Sequence, residues 1–232
     1  MKETLKVPFF VIGGRGTNMA EIIDRLKEAI LTYDRKLASQ LAEKAIGEGV
    51  DPGEILNGMT EVIRKIGDDF GRGELYLPDL VGAASAMSEA ISIVEIEIEK
   101  SGKKVEKIST VVLGTVKGDI HDIGKTMVKT FLVAENFRVI DLGVDVSLEE
   151  FIKAIDKYNP GILALSALLT TTVTEQRKII EALKDKGIRD KVKVIIGGAA
   201  TNQEFADKIG ADGYEATAPR AAKLCKRLLK EE

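Results

Sequence analysis

The sequence predicts a two-part protein: an antiparallel four-helix bundle followed by a doubly wound α/β domain built on five parallel strands. Three observations lead there. From Met19 to about Lys100, apolar residues recur every three or four positions, the period of helices with one buried face. After Lys107, apolar runs of strand length alternate five times with helical segments, as in βα units that cover a parallel sheet on both faces. Residues with chemical character gather at the carboxyl ends of three of these runs, where such sheets bind ligands.

The first helix opens at Met19 and carries Ile22, Ile23, Leu26, Ala29 and Ile30 on one stripe. A second runs through Leu37, Leu41, Ala45 and Ile46 and stops at Gly47-Glu48-Gly49. Asp51 caps a third, with Pro52 at its first position and Glu54 three residues after the cap. That helix presents Ile55, Met59, Val62, Ile63 and Ile66 toward Phe70, and Gly71-Arg72-Gly73 breaks it. Leu77-Pro78 starts a fourth, from Asp79 to about Glu99, whose Gly82, Ala83, Ala84, Ser85, Ala86, Ser88 and Ala90 allow close approach of another helix or a flat ligand. Short loops imply antiparallel neighbours. The charged stretch Glu95 to Lys107, which contains Ser101-Gly102, reads as the linker. The expected division is an arm over 1–18, a helical domain over 19–100, a linker over 101–106 and an α/β domain over 107–232.

In the second half, Ile108 to Val116 is a continuous apolar strand and a helix follows over about Ile123 to Glu135. The strand Arg138 to Leu142 leads to a helix capped by Ser147 and carrying Phe151, Ile152 and Ile155. Then come the strand Gly161 to Ser166, a helix from Thr172 to Lys186, and the strand Lys191 to Ile196, ended by Gly197-Gly198. A helix near Glu204 to Ile209, a short strand Ala211 to Tyr214 and a helix from Pro219 to Lys230 complete the chain. Five such units suit the flavodoxin-like strand order 2-1-3-4-5, with right-handed crossovers.

Composition narrows the function classes. The 232 residues are 44% hydrophobic and 31% charged, ordinary for a soluble protein with real cores. A net charge of −3 leaves no electrostatic footprint for nucleic acid. The single Cys225 excludes an internal disulfide and fits a reducing cytoplasm. No apolar run approaches the roughly 20 residues of a membrane-spanning helix, and Val7 to Ile12 is short for a signal core.

His121 is the only histidine. A lone histidine is most often structural, but this one sits between the first strand and its helix, in the segment Gly118-Asp119-Ile120-His121-Asp122-Ile123-Gly124. Asp119, two residues earlier, can accept the Nδ1 hydrogen, fix the tautomer and leave Nε2 a lone pair for a metal. One histidine with one supporting carboxylate cannot hold a bare ion, which needs about three or four protein ligands. A metal here would arrive already coordinated, as in a tetrapyrrole or corrin. Ser166-Ala167-Leu168-Leu169-Thr170 after the third strand can line a neutral slot, and Gly197-Gly198 removes side chains beside it. No Gly-x-Gly-x-x-Gly follows the first strand, so a dinucleotide is not indicated.

These residues resemble the cobalamin-binding proteins of corrinoid-dependent methyl transfer, including the cobalamin module of methionine synthase. The family's fingerprint is Asp-x-His-x-x-Gly, then Ser-x-Leu, then Gly-Gly; here it is Asp119 to Gly124, Ser166-Ala167-Leu168 and Gly197-Gly198. The longer runs Val116 to Lys125 and Asp141 to Val146 also look like that family, and the resemblance covers about Met19 to Leu229. It implies base-off/His-on cobalamin, with His121 as lower axial ligand to cobalt and Asp119 as its partner. In methionine synthase a serine completes a ligand triad; Thr172 stands at the matching position. The resemblance further implies that Ser166, Leu168 and Thr170 line the nucleotide-tail pocket beside Gly197 and Gly198, with Gly213, Tyr214 and Ala216 at its far end. The segment Phe70 to Val81 is similar to the family's cap, so Phe70, Leu77, Leu80 and Val81 would shield the upper face.

The implied function is that of a methyl carrier cycling between Co(I) and methyl-Co(III), not catalytic without partners. Those partners would be a substrate:corrinoid methyltransferase, an acceptor methyltransferase using tetrahydrofolate or a thiol, and a reductive activator. Methanol, methylamines, betaines and methoxylated aromatics are all served by similar carriers. Competing readings are a cobalamin-binding sensor, a mutase-type small subunit, and a non-cobalamin flavodoxin-like docking protein.

Overall fold

The computed structural model describes residues 19–101 and 107–230. The expected arm over 1–18 and residues 102–106 of the linker lie outside the described residues. Four helices come first: α1 (Met19–Leu31), α2 (Arg35–Gly47), α3 (Pro52–Gly71) and α4 (Leu77–Ser101). Strands and helices then alternate: β1 (Thr110–Thr115), α5 (Ile123–Ala134), β2 (Arg138–Asp141), α6 (Leu148–Tyr158), β3 (Ile162–Ser166), α7 (Val173–Asp185), β4 (Lys193–Gly197), α8 (Gln203–Ile209), β5 (Gly213–Tyr214) and α9 (Ala218–Leu228).

Local chemistry accounts for the helix ends. The Asp34 carboxylate accepts the Leu37 amide at 2.9 Å and starts α2. Asp51 accepts Gly53 N at 2.8 Å, with Pro52 in the position where its missing N–H is harmless. Ser147 and Glu150 form a reciprocal capping box at α6. Asn159 and Gly210 end α6 and α8 in left-handed conformations.

Helix α4 differs from expectation in two respects. It continues to Ser101, so the first part of the charged stretch from Glu95 is helical. Its residues Leu77–Lys100 are also long and apolar enough, by length and composition, to cross a membrane, because alanine and isoleucine occupy so many positions. In the fold, Leu80, Ala83, Ala84, Met87, Ala90, Ile91 and Val94 are buried in the bundle instead.

The sheet is parallel throughout, in the order β2-β1-β3-β4-β5. Side chains alternate between its faces. Val111, Leu113, Ala164 and Ile195 join a layer with α5, α9 and the whole bundle, whereas Val112, Leu163, Leu165, Val194 and Ile196 join α6, α7 and α8. The bundle therefore shares one apolar layer with the sheet. Polar contacts reinforce that seam: Arg64 of α3 bonds Glu135 at 3.0 Å and the Ala134 carbonyl at the end of α5 at 2.9 Å. Lys226 of α9 also pairs with Glu135, and Lys223 reaches Asp68 at 2.8 Å.

Gly67 marks the tightest part of the seam. A Cβ there would lie 2.8 Å from a Phe131 ring atom and 3.2 Å from Pro219. Gly67→Val is expected to lower unfolding free energy by about 1–3 kcal/mol through overpacking. Gly71→Ala, whose Cβ meets nothing within 4 Å, serves as the control and should stay within about 0.5 kcal/mol; urea melts of both variants check this.

Candidate cofactor site

Beyond β1 the chain makes a short, heavily bonded loop. Val116 N bonds Ser166 O at 3.0 Å, and Gly118 then turns at φ 79°, a conformation that favours glycine. Asp145 clamps this turn: its Oδ1 accepts Gly118 N at 2.8 Å, its Oδ2 pairs with Lys117 at 3.0 Å, and its own amide donates to Asp119 O at 2.9 Å. The Gly118 amide and Lys117 hold the Asp145 carboxyl below its ordinary range.

The result is a fixed, fully buried Asp119 carboxylate. Its Oδ1 accepts His121 N at 3.0 Å and lies 2.7 Å from His121 Nδ1. Its Oδ2 accepts Leu168 N at 2.7 Å, Leu169 N at 3.4 Å and the Thr172 hydroxyl at 2.7 Å. Burial pushes this carboxyl up, but the bonds from Thr172, from the His121 amide and ring and from Leu168 outweigh it and hold the group well below the usual carboxylate range. An ionised Asp119 accepts the Nδ1 hydrogen, so neutral His121 presents a lone pair at Nε2. The His121 side chain remains 48% exposed.

Thr172 stands at the N-cap of α7 but makes no side-chain cap bond. Its hydroxyl lies 2.7 Å from Asp119 and 3.1 Å from Leu169 O; the carboxylate is the stronger acceptor. The threonine methyl does not prevent this, since Cγ2 sits beside Gly118, 3.7 Å from where its Cβ would be.

A cavity of about 370 Å³ opens at the strand carboxyl ends. His121, Gly124, Ser166, Leu168, Gly197, Gly198, Tyr214 and Ala216 line it from the α/β half, and Phe70, Leu77 and Leu80 from the bundle. Other residues singled out in the sequence lie elsewhere. Asp119 and Thr172 are buried, while Ile120 and Ile123 are 74% and 65% exposed. Gly118 forms the turn, Asp122 stands at the N-cap of α5, and Thr170 is exposed. Val81 packs against the apolar layer, and Gly213 makes room for Leu224, 2.8 Å from where a Cβ would stand.

Sequence reasoning missed Lys125, Met127 and Val128, which line the cavity from α5; Met127 and Val128 stand three and four residues after Gly124, a period the sequence displays. Lys125 is buried and paired with Asp141 at 2.6 and 2.8 Å. Glu215, Thr217, Ala218 and Ala221 also line it, with only their nearness to Tyr214 as a signal.

The two adjacent glycines do different work. A Cβ at Gly198, where φ is 125°, would collide with the Ala167 carbonyl; one at Gly197 would meet only Glu215 O at 4.0 Å and otherwise project into open space. No three His, Cys, Asp or Glu side chains come together among the described residues to hold a bare ion. One imidazole with a fixed tautomer beside a largely apolar slot fits a metal that brings its own equatorial ligands.

Two measurements follow. Thr172→Val, which leaves the buried carboxylate short of a donor, is expected to lower unfolding free energy by about 1–3 kcal/mol, and Thr172→Ser to recover most of it. In the unfolded chain Asp119 titrates at about 3.9, so below about pH 4 the unfolded state binds the proton first and stability is lost. The stability advantage of wild type over Asp119→Asn should be full at neutral pH and shrink below about pH 4, as urea melts at stepped pH will read.

A family described as a B12 binding domain matches residues 109–223, and a second of the same description matches residues 22–95. The trimethylamine corrinoid protein of Methanosarcina barkeri is 42% identical over 213 residues, covering 91% of this chain and 98% of its own. Dimethylamine corrinoid protein 1 of Methanosarcina mazei is 40% identical over 214 residues, covering 92% and 98%. Among solved structures, a cobalamin-binding protein from Desulfitobacterium hafniense aligns at a TM-score of 0.63 and 30% identity, covering 89% of this chain and 98% of that one. The methanol:cobalamin methyltransferase complex of Methanosarcina barkeri aligns at 0.73 and 30%, covering 91% and 81%. With relatives at this identity along nearly its whole length, the chain belongs to the cobalamin-binding corrinoid proteins of methyltransferase systems.

Proposed function

We propose that the chain carries a methyl group on a bound corrinoid, taking it from a substrate:corrinoid methyltransferase and delivering it to an acceptor methyltransferase that uses tetrahydrofolate or a thiol. The observation that carries this reading is the Thr172–Asp119–His121 relay, whose imidazole lines the cavity between the two halves of the chain. When bound base-off, the corrinoid supplies a cobalt centre that accepts and releases the methyl group. His121 Nε2 would hold its metal, and Ser166, Gly197 and Gly198 would flank the slot for its nucleotide tail.

The relay also manages a proton. With Nε2 free of a metal, a proton held there would be stabilised by the Asp119 carboxylate 2.7 Å from Nδ1. The Thr172 hydroxyl and two backbone amides keep Asp119 ionised for that purpose. Phe70, Leu77 and Leu80 would shield a bound corrinoid on the bundle side of the cavity, and the bundle would have to shift for a partner to reach the site. The Arg64–Glu135 contact lies on the seam that shift would open.

Among methyl donors, the names of the relatives at 40–42% identity favour methylated amines over methanol. We place the protein in the cytoplasm, with a reductive activator as a further partner; the buried, unreactive Cys225, whose thiol burial pushes up to about 12, is in keeping with a reducing compartment.

Two tests bear on the site. His121→Ala is expected to keep cobalamin bound while shifting its visible spectrum; an unchanged spectrum contradicts the ligand assignment. Leu77→Ala should accelerate photolysis of the bound methyl corrinoid, and an unaltered rate contradicts shielding by the bundle.

A further inference from the structure

Gln176 lies on α7 one turn after Thr172 and is fully buried. Its Nε2 lies 3.0 Å from Leu165 O and 3.1 Å from Gly197 O. Both partners are main-chain carbonyls, so the NH2 end of the amide must face them. The other end, Oε1, is buried with no hydrogen-bond partner among the described residues. An apolar side chain would fill the space with no orphaned oxygen, as Ile179, Ile180 and Leu183 do along the same helix. What glutamine adds is the pair of N–H bonds.

Those bonds end at the floor of the cavity. Leu165 and Gly197 sit at the carboxyl ends of β3 and β4, next to Ser166 and Gly198, and both line the cavity. Helix α7 packs in the opposite layer from Leu113, Ala164 and Ile195, which line the cavity from their own face. Gln176 thus props the two strand ends from behind. The start of α7 holds both halves of the site at once: Thr172 bonds Asp119, and Gln176 bonds the strands that border the slot.

We infer that Gln176 is a positioning residue that sets the floor of the nucleotide-tail slot and, through the start of α7, couples filling of that slot to the orientation of His121. This rests on the corrinoid reading above. The probes are cobalamin and cobinamide, which has the same ring without the nucleotide tail, titrated spectroscopically into the full chain. Gln176→Met keeps the volume and removes the N–H groups. It is expected to weaken cobalamin binding about tenfold, in line with the loss of two hydrogen bonds, while leaving cobinamide binding unchanged and blurring the spectral shift that His121 ligation produces. Equal weakening of both corrinoids, or of neither, overturns the inference; a wild type that binds neither overturns the corrinoid reading instead. Should the variant fail to fold, hydrogen exchange on the wild type decides. Cobalamin, but not cobinamide, should slow exchange of the α7 amides from Gln176 to Ile180, and equal protection by both overturns it.

Discussion

The site depends on one buried carboxylate. Asp119 accepts from a ring nitrogen, three backbone amides and a hydroxyl, contributed by its own loop and by the segment after β3. A carboxylate removed from water is costly unless hydrogen bonds replace its hydration, and here both oxygens are satisfied. Two consequences follow. The charge is retained, so the imidazole in front of it has a fixed tautomer. The loop after β1 is also stitched to the loop after β3, so His121 cannot move without the segment from Leu168 to Thr172 moving too.

The rest of the architecture serves this arrangement. Parallel strands place the β1, β3 and β4 ends side by side, which brings Asp119, Leu168 and Gly197 together from distant parts of the chain. Phe70 and Leu80, part of the apolar layer shared by the bundle, α5, α9 and one sheet face, line the cavity from the bundle side as a partial roof, and Leu77 lines it too although 58% exposed. Displacing that roof means parting hydrophobic contacts together with the Arg64–Glu135 and Lys223–Asp68 pairs. The competing sensor, mutase-subunit and docking readings gain no support from close relatives, whose names are those of methylamine corrinoid proteins over nearly the full chain length.

Much of this was legible in the sequence, for identifiable reasons. Helical and strand periods differ, so the pattern changes near Lys107, and five βα units suit the strand order that the sheet shows. His121, Asp119, Ser166 and Gly197-Gly198 stood out because each lies where a strand signal ends. What stayed hidden depends on contacts between distant segments. Asp145 adopts φ 55° to clamp Gly118 from 27 residues away, and Gln176 reads as an ordinary polar position on a helix until its burial is seen. Lys125 belongs to a conspicuous run, yet its burial against Asp141 requires the β1–β2 pairing. Gly213 drew notice beside Tyr214, but its role is to admit Leu224.

The central claim, that His121 supplies the metal's lower ligand through Nε2, has a direct test because the chain holds a single histidine. Untagged protein loaded with cobalamin and reduced to the cobalt(II) state gives an electron paramagnetic resonance spectrum split by the axial nitrogen. Growth on 15N-histidine replaces that nitrogen in His121 alone. The account predicts that each triplet splitting becomes a doublet on labelling; triplets unchanged by the label would show that the axial nitrogen comes from the cofactor's own base and contradict it.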